Sequence, residues 1–163
     1  MIGVGEPSRD GVKYRRAGRV LVVDSAGRLL LLHGFDPARR DQPYWFTVGG
    51  GIKPGESAAD AAARELLEET GIEAAPAELG GPVWNEVAEF SFEGRKYRQD
   101  NDFFLLRVAS PVVSRDGLED EEAAVVDGHR WWTAAELEST TEQFYPAELP
   151  RLIRDLAEPP GGA

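Results

Sequence analysis

The sequence predicts an α/β protein: a mixed β-sheet with helices on both of its faces, an α/β/α sandwich. Three observations predict it. Runs rich in Val, Leu and aromatic residues recur along the chain, from RVLVV at residues 19–23 to HRWW at residues 129–132. A well-marked helix opens after Ser57, in the first half of the chain. A second, amphipathic helix is expected over residues 146–156, so each sheet face can receive a helical layer.

The chain has 163 residues, which suits one domain with a sizeable core. Residues 1–12 are expected to be a flexible N-terminal segment, 13–157 the folded domain and 158–163 a flexible tail. The absence of cysteine excludes disulfides and thiolate metal sites. The N-terminus lacks a signal-peptide core, and no apolar run reaches membrane-spanning length, so the expected location is the cytoplasm, with no membrane partner. A formal charge of −11 and a pI near 4.7 argue against binding a nucleic-acid polymer. They leave room for a small anionic substrate held locally through a metal.

Residues 13–23 become steadily more apolar, a turn follows at 24–27, and residues 28–33 read RLLLLH. The expectation is a hairpin buried on both faces near its centre. His33, at a strand end, is expected to be structural or solvent-facing. Residues 34–43, GFDPARRDQP, read as a polar loop. Arg39 and Arg40 within it are candidates to bind phosphate, because guanidinium matches phosphate oxygens; a solvated arginine pair is the plainer alternative. Residues 44–48 form a short strand leading into Gly49, Gly50 and Gly51, which allow positive φ and close backbone approach.

The helix has clear ends. Ser57 and Asp60 have the capping-box spacing, and Gly71 is a natural C-terminal stop. At about 100° per residue, Glu65, Glu68 and Glu69 fall within one arc, beside an apolar arc of Ala59, Ala62, Ala63 and Leu66. Glu56 precedes the cap and can point to the same place. Carboxylates at this spacing repel, and Glu68 and Glu69 also oppose the helix dipole. They are either solvated, as in most Glu-rich helices, or neutralised by cations; hard divalent ions take such oxygen ligands and bridge them to phosphates.

Residues 73–81 read as an Ala/Pro/Gly-rich linker. Residues 82–92 and 95–108 form an antiparallel pair about a turn at Glu93 and Gly94. Arg95, Lys96 and Arg98 make a basic patch suited to a diphosphate or simply to solvent. Asp100 and Asp102 share one face of their strand. Residues 111–127 form an acidic loop in which Glu119, Glu121 and Glu122 stand out, Glu122 being nearest the following strand. Thr133 caps a short helix after the last strand.

Gly50, Glu56, Arg64, Glu65, Leu66, Glu68, Glu69, Gly71 and Ile72 match every fixed position of the Nudix box, GX5EX7REUXEEXGU, over 23 residues. The chain therefore resembles the Nudix hydrolases, and the RWW ending with its short helix extends the likeness over residues 14–157. The resemblance implies a Nudix fold and Mg²⁺-dependent hydrolysis of a nucleoside diphosphate linked to a moiety X, with Mn²⁺ as a substitute ion. It implies Glu65, Glu68 and Glu69 as metal-binding and catalytic residues, and Glu56 as a ligand or loop support. A carbonyl of Gly49 or Gly50 is implied as a further ligand, Gly50 being the candidate carried forward. Arg64 is implied to orient a catalytic glutamate, with Asp60 as its alternative partner. Arg39, Arg40 and Arg98 are the candidate substrate-binding residues. The general base is a box glutamate or one of Asp100, Asp102, Glu119, Glu121 and Glu122. Val48 stands where many relatives have proline. Downstream signatures of the ADP-ribose, diadenosine-polyphosphate and NADH types are missing, as is the upstream coenzyme A signature, which leaves nucleoside triphosphates and nucleotide sugars among the candidate substrates. The alternative is a Nudix-fold module that binds a nucleotide without cleaving it. Many relatives dimerise, so a homodimer is a possible assembly.

Overall fold

The computed structural model describes residues 6–7, 11–109 and 111–157. The expected C-terminal tail, and most of the expected N-terminal segment, lie outside the described residues. The described strands form one mixed eight-stranded sheet organised around β2 (Val12–Val23). Along its whole length β2 runs parallel to β6 (Arg95–Arg107). The other edge of β2 is shared. β4 (Arg39–Gly51) pairs with it antiparallel from Ala17↔Gly51 to Val20↔Val48, and β3 (Leu29–Asp36) meets it at Val23↔Leu29.

The expected hairpin of residues 13–33 is therefore not zipped: β4 stands between its two arms. The reason lies in glycine. Gly18 and Gly50 face each other across the β2–β4 pair, and a Cβ on Gly18 would fall 2.1 Å from the carbonyl oxygen of Ala58. Two bare backbones here let α1 (Ala58–Thr70) lie directly on the sheet. The three glycines, expected to follow the strand of residues 44–48, are thus the end of that strand.

Nor are residues 34–43 a loop. β3 and β4 continue outward to a tip at Pro37 and Ala38, closed by Asp36↔Arg39. The Asp36 carboxylate accepts from the Ala38 N–H at 2.9 Å and from the Glu93 N–H at 3.0 Å, so it supplies the turn chemistry. The tip runs past the core, which explains its polar composition. β7 (Val126–Trp132) covers the outer edge of β3, β5 (Trp84–Phe92) pairs with β6, and β8 (Phe144–Tyr145) adds to β4. β1 (Glu6–Pro7) pairs with the start of β2.

Alternation along β2 builds two cores, as a strand buried on both faces should. Val20 and Val22 pack with Ala62 and Leu66 of α1, while Leu21 and Val23 pack with Leu137 of α3 (Ala134–Ser139) and Leu149 and Ile153 of α4 (Leu149–Ala157). Helices therefore cover both faces, as expected. The linker holds a 3₁₀ turn over Pro76–Leu79, and the acidic loop a one-turn helix, α2 (Asp120–Ala123). Among the described residues no helix is long and apolar enough to cross a membrane. Leu66 is fully buried beneath α1, so Leu66→Ala is expected to lower unfolding free energy by about 2–5 kcal/mol, read as an earlier denaturant midpoint at unchanged slope.

Candidate active site

The direction of α1 is set by its ends. Ser57 Oγ accepts from the Asp60 N–H at 3.1 Å, and the Asp60 carboxylate accepts from the Ser57 N–H at 2.9 Å. Gly71, at φ 76°, turns the chain out at the other end. Asp60 is thereby committed to the cap and is not the partner of Arg64.

So held, α1 turns Glu65 and Glu69 toward the glycine strand. Their exposures are 3% and 0%, which removes solvation as an explanation for these two carboxylates. Glu69 Oε1 accepts from the Gly49 N–H at 2.7 Å, and its Oε2 is buried with no hydrogen-bond partner among the described residues. Glu65 fills the space a side chain at position 50 would need: a Cβ there would lie 2.5 Å from Glu65 Oε1. From the other side, α2 delivers Glu122. One carboxylate oxygen from each of Glu65, Glu69 and Glu122 lies within 4.8 Å of the others. Glu119 and Glu121, its neighbours, are exposed.

Arg64 organises the flank. Its Nε donates to Glu56 Oε2 at 2.8 Å, Nη2 to Glu56 Oε1 and to the Gly51 carbonyl at 3.0 Å each, and Nη1 to Glu65 Oε1 at 2.9 Å. Glu68 Oε2 stands 3.7 Å from Nη1. Glu56, which also accepts from the Lys53 N–H at 2.8 Å, is therefore the counter-ion of Arg64 and a clamp on the loop. It is not one of the three converging carboxylates.

The electrostatics divide the acids into two groups. Hydrogen bonds from Arg64 hold the Glu56 carboxyl below the usual carboxylate range, and Glu56 in turn raises Arg64. Burial, reinforced by the charge of Glu65, pushes Glu69 well above its ordinary value, against the pull of the Gly49 N–H and Arg19. Burial also raises Glu122, with the charges of Glu65 and Glu68 adding to it, and raises Glu68, with Glu65 adding to it. Three converging carboxylates, of which Glu69 and Glu122 resist ionisation, with one Glu69 oxygen buried and without a hydrogen-bond partner among the described residues, fit a hard divalent cation in donor type and charge.

The other sequence candidates lie elsewhere. Asp100 and Asp102 both accept from Asn85 Nδ2, at 2.6 and 2.9 Å, and are engaged toward β5. Arg98 pairs with Glu89 and lies over the ring of Tyr14. It sits four residues along β6 from Asp102, the neighbour of Gly18, which is about 13 Å of strand. Arg39 and Arg40 occupy the far end of β4, about 30 Å of strand from Gly49, with Arg40 over Phe35. His33 Nδ1 lies 2.5 Å from the Asp127 carboxylate, tying β3 to β7, and the ring packs against Trp45.

One residue beside the cluster was missed from sequence. Arg19 Nη1 donates to the carbonyls of Gly49 at 3.1 Å and Thr47 at 3.2 Å, from the face opposite α1. A lone arginine opening the apolar run RVLVV was the available signal.

The NUDIX domain model matches residues 13–155. A Bacillus subtilis (strain 168) protein provisionally named as an 8-oxo-dGTP diphosphatase is 32% identical over 107 residues, covering 65% of this chain and 62% of that protein. The chain thus spans somewhat less than two thirds of that relative. An RNA pyrophosphohydrolase of Erythrobacter litoralis (strain HTCC2594) is 29% identical over 166 residues, covering 91% of this chain and 87% of its own. Among solved structures, the MutT protein of Methanosarcina mazei Go1 superposes with a TM-score of 0.60 at 21% identity, over 90% of this chain and 94% of that one, a likeness of fold. With the family model spanning nearly all of the described sheet and both helical layers, this chain belongs to the NUDIX domain family.

Proposed function

We propose that the protein is a Mg²⁺-dependent pyrophosphohydrolase acting on a nucleoside diphosphate derivative. The observation that carries this reading is the convergence of Glu65, Glu69 and Glu122 within 4.8 Å. Glu65 and Glu69 would hold the ion, with Glu68 at the edge of the cluster and Mn²⁺ able to replace Mg²⁺. When bound, the ion supplies Lewis acidity to phosphoryl oxygens and acidifies water.

The chain's own groups do the rest. Arg64 fixes the carboxylate of Glu65 by a charged hydrogen bond and, through Gly51, holds the end of the glycine strand. The Gly49 N–H fixes one oxygen of Glu69, and the other is buried with no hydrogen-bond partner among the described residues. A carboxylate in reach of the attacking water takes its proton. Among the acids beyond the box, Glu122 has the position for this, being half-buried and beside Glu65 and Glu69. Its raised affinity for protons makes it a stronger base than an exposed glutamate. Small nucleotides are free in the cytoplasm, where this reading places the reaction.

Similarity to the Erythrobacter protein over most of both chains supports a second reading, in which the diphosphate is the 5′ end of an RNA. The net charge of −11 weighs against it. One experiment covers both readings. Phosphate or pyrophosphate release is measured over nucleoside triphosphates, oxidised nucleotides, nucleotide sugars and a 5′-triphosphorylated oligoribonucleotide, with Mg²⁺ and with EDTA. Metal-dependent turnover of at least one substrate is expected, lowered by about 10²–10⁴-fold in Glu122→Gln. Binding without turnover would instead identify a nucleotide-binding module.

A further inference from the structure

Arg19 presents an electrostatic anomaly. It lies on the face of the sheet opposite α1, half-buried, and its hydrogen bonds go to neutral groups: the two β4 carbonyls and, at 3.5 Å, Asn101 Oδ1. Among the described residues no carboxylate comes within ion-pairing distance of it. Glu69, Glu65 and Glu86 act on it only through longer-range charge, while burial disfavours its ionised form. A guanidinium partly withdrawn from water is ordinarily matched by an anion. Nη2 has no hydrogen-bond partner among the described residues and is not sealed from solvent.

The surroundings hold Arg19 in place. Its stem lies on Gly49, where a Cβ would come 2.7 Å from Arg19 Cδ. Asn101 Oδ1, its Nε acceptor, also accepts from Gln99 Nε2 at 2.7 Å. Asn101 and Gln99 are 4% and 2% exposed, so this chain of amides has little freedom to turn. Gly49 joins the two faces of the site. Its carbonyl accepts from Arg19 and its N–H donates to Glu69, so Arg19 Nη1 and the Glu69 carboxylate stand no more than about 10 Å apart. That separation is on the order of one diphosphate group with a hydrogen bond at one end and a metal–oxygen contact at the other.

We propose that Arg19 binds an anionic oxygen of the substrate's diphosphate from the far side of the glycine strand, with Asn101 and Gln99 as positioning residues. This rests on the pyrophosphohydrolase reading above and assigns to Arg19 the contact that sequence had offered to Arg39, Arg40 and Arg98. The carboxamides hold the guanidinium in register, and Gly49 allows its close approach.

The test uses methylenediphosphonate, a diphosphate that cannot be hydrolysed, titrated calorimetrically into the full chain with Mn²⁺, beside a titration with Mn²⁺ alone. Arg19→Met is expected to weaken methylenediphosphonate binding about ten- to a hundredfold and Arg19→Lys less, with Mn²⁺ affinity held within about twofold. Asn101→Leu leaves the bonds to Thr47 and Gly49 in place, so it serves where Arg19→Met does not fold; a severalfold weakening is expected. Unchanged methylenediphosphonate binding in these variants, or an equal loss of Mn²⁺ binding, would overturn the proposal, the latter by showing that Arg19 only braces the glycine strand. A wild-type protein that binds Mn²⁺ but not methylenediphosphonate would overturn it as well. Failure of the wild type to bind Mn²⁺ at all would tell against the metal reading instead.

Discussion

Glu69→Gln is expected to lower turnover by at least about a hundredfold while making the metal-free protein more stable. Both effects come from one carboxylate. Its loss removes an oxygen donor from the cluster, which acts on activity. The gain in stability follows from burial: Glu69 is wholly enclosed, beside Glu65, and carries a buried oxygen without a hydrogen bond among the described residues. A glutamine of the same shape keeps an acceptor for the Gly49 N–H and turns an amide N–H₂ toward the other carboxylates. Because the folded-state value of Glu69 is raised, the folded protein binds more protons than the unfolded chain. Stability of the metal-free protein therefore falls as pH rises from the ordinary carboxylate range through that raised value, and the variant loses this slope. Thermal melts in EDTA over that range read the difference, at about 2–4 °C for each kcal/mol relieved. Saturating Mg²⁺ should raise the melting temperature of the wild type and do little for the variant. Undiminished hydrolysis by Glu69→Gln, or by Glu65→Gln, would remove the proposed metal site.

Gly18→Ala is expected to damage fold and activity together. The added Cβ would meet Ala58 O at 2.1 Å, Ala58 C at 3.0 Å and Ala62 N at 3.1 Å, all backbone atoms that cannot turn aside. The first turns of α1 must lift off the sheet, at a cost of about 1–3 kcal/mol or more. The same displacement draws Glu65 and Glu69 away from Glu122 and Gly49, so turnover should fall more than stability explains. Gly81→Ala is the control: it has open space around it, and a change within about 0.5 kcal/mol is expected. Denaturant unfolding alongside steady-state kinetics separates the two effects, and a Gly18→Ala protein with native stability and turnover would contradict the packing described for α1.

What was legible in the sequence was local. The capping box, the glycine stop and the glutamates one turn apart all lie within a single loop and helix, where spacing alone fixes which side chains meet. The β5–β6 hairpin was legible for the same reason, its turn at Glu93 and Gly94 being marked by residues that take positive φ. Glu122 could be named only as one acid among several, because exposure separates it from Glu119 and Glu121, and exposure is set by how α2 packs. Residues 34–43 looked like a loop because a strand that projects beyond the core keeps no apolar face. Arg19 was hidden by its setting: within an apolar run it reads as a strand boundary, and its role depends on Gly49 and Asn101, which only strand pairing brings near. For Arg39, Arg40 and Arg98, residue chemistry suggested phosphate, but their places along β4 and β6 take them away from the cluster.

The central pairing of the sheet has a consequence for how the protein comes into being. β2 and β6 lie side by side from Val12↔Lys96 to Val23↔Arg107, with the whole of α1 and its flanking strands β4 and β5 encoded between them. Synthesis therefore finishes α1, with its three glutamates, long before β6, the full-length partner of β2, has emerged from the ribosome. Contacts so distant along the chain slow the search for the native topology. During that interval the edge of β2 that β6 will cover is without its permanent neighbour, and that is when a nascent chain of this kind is most open to wrong partners.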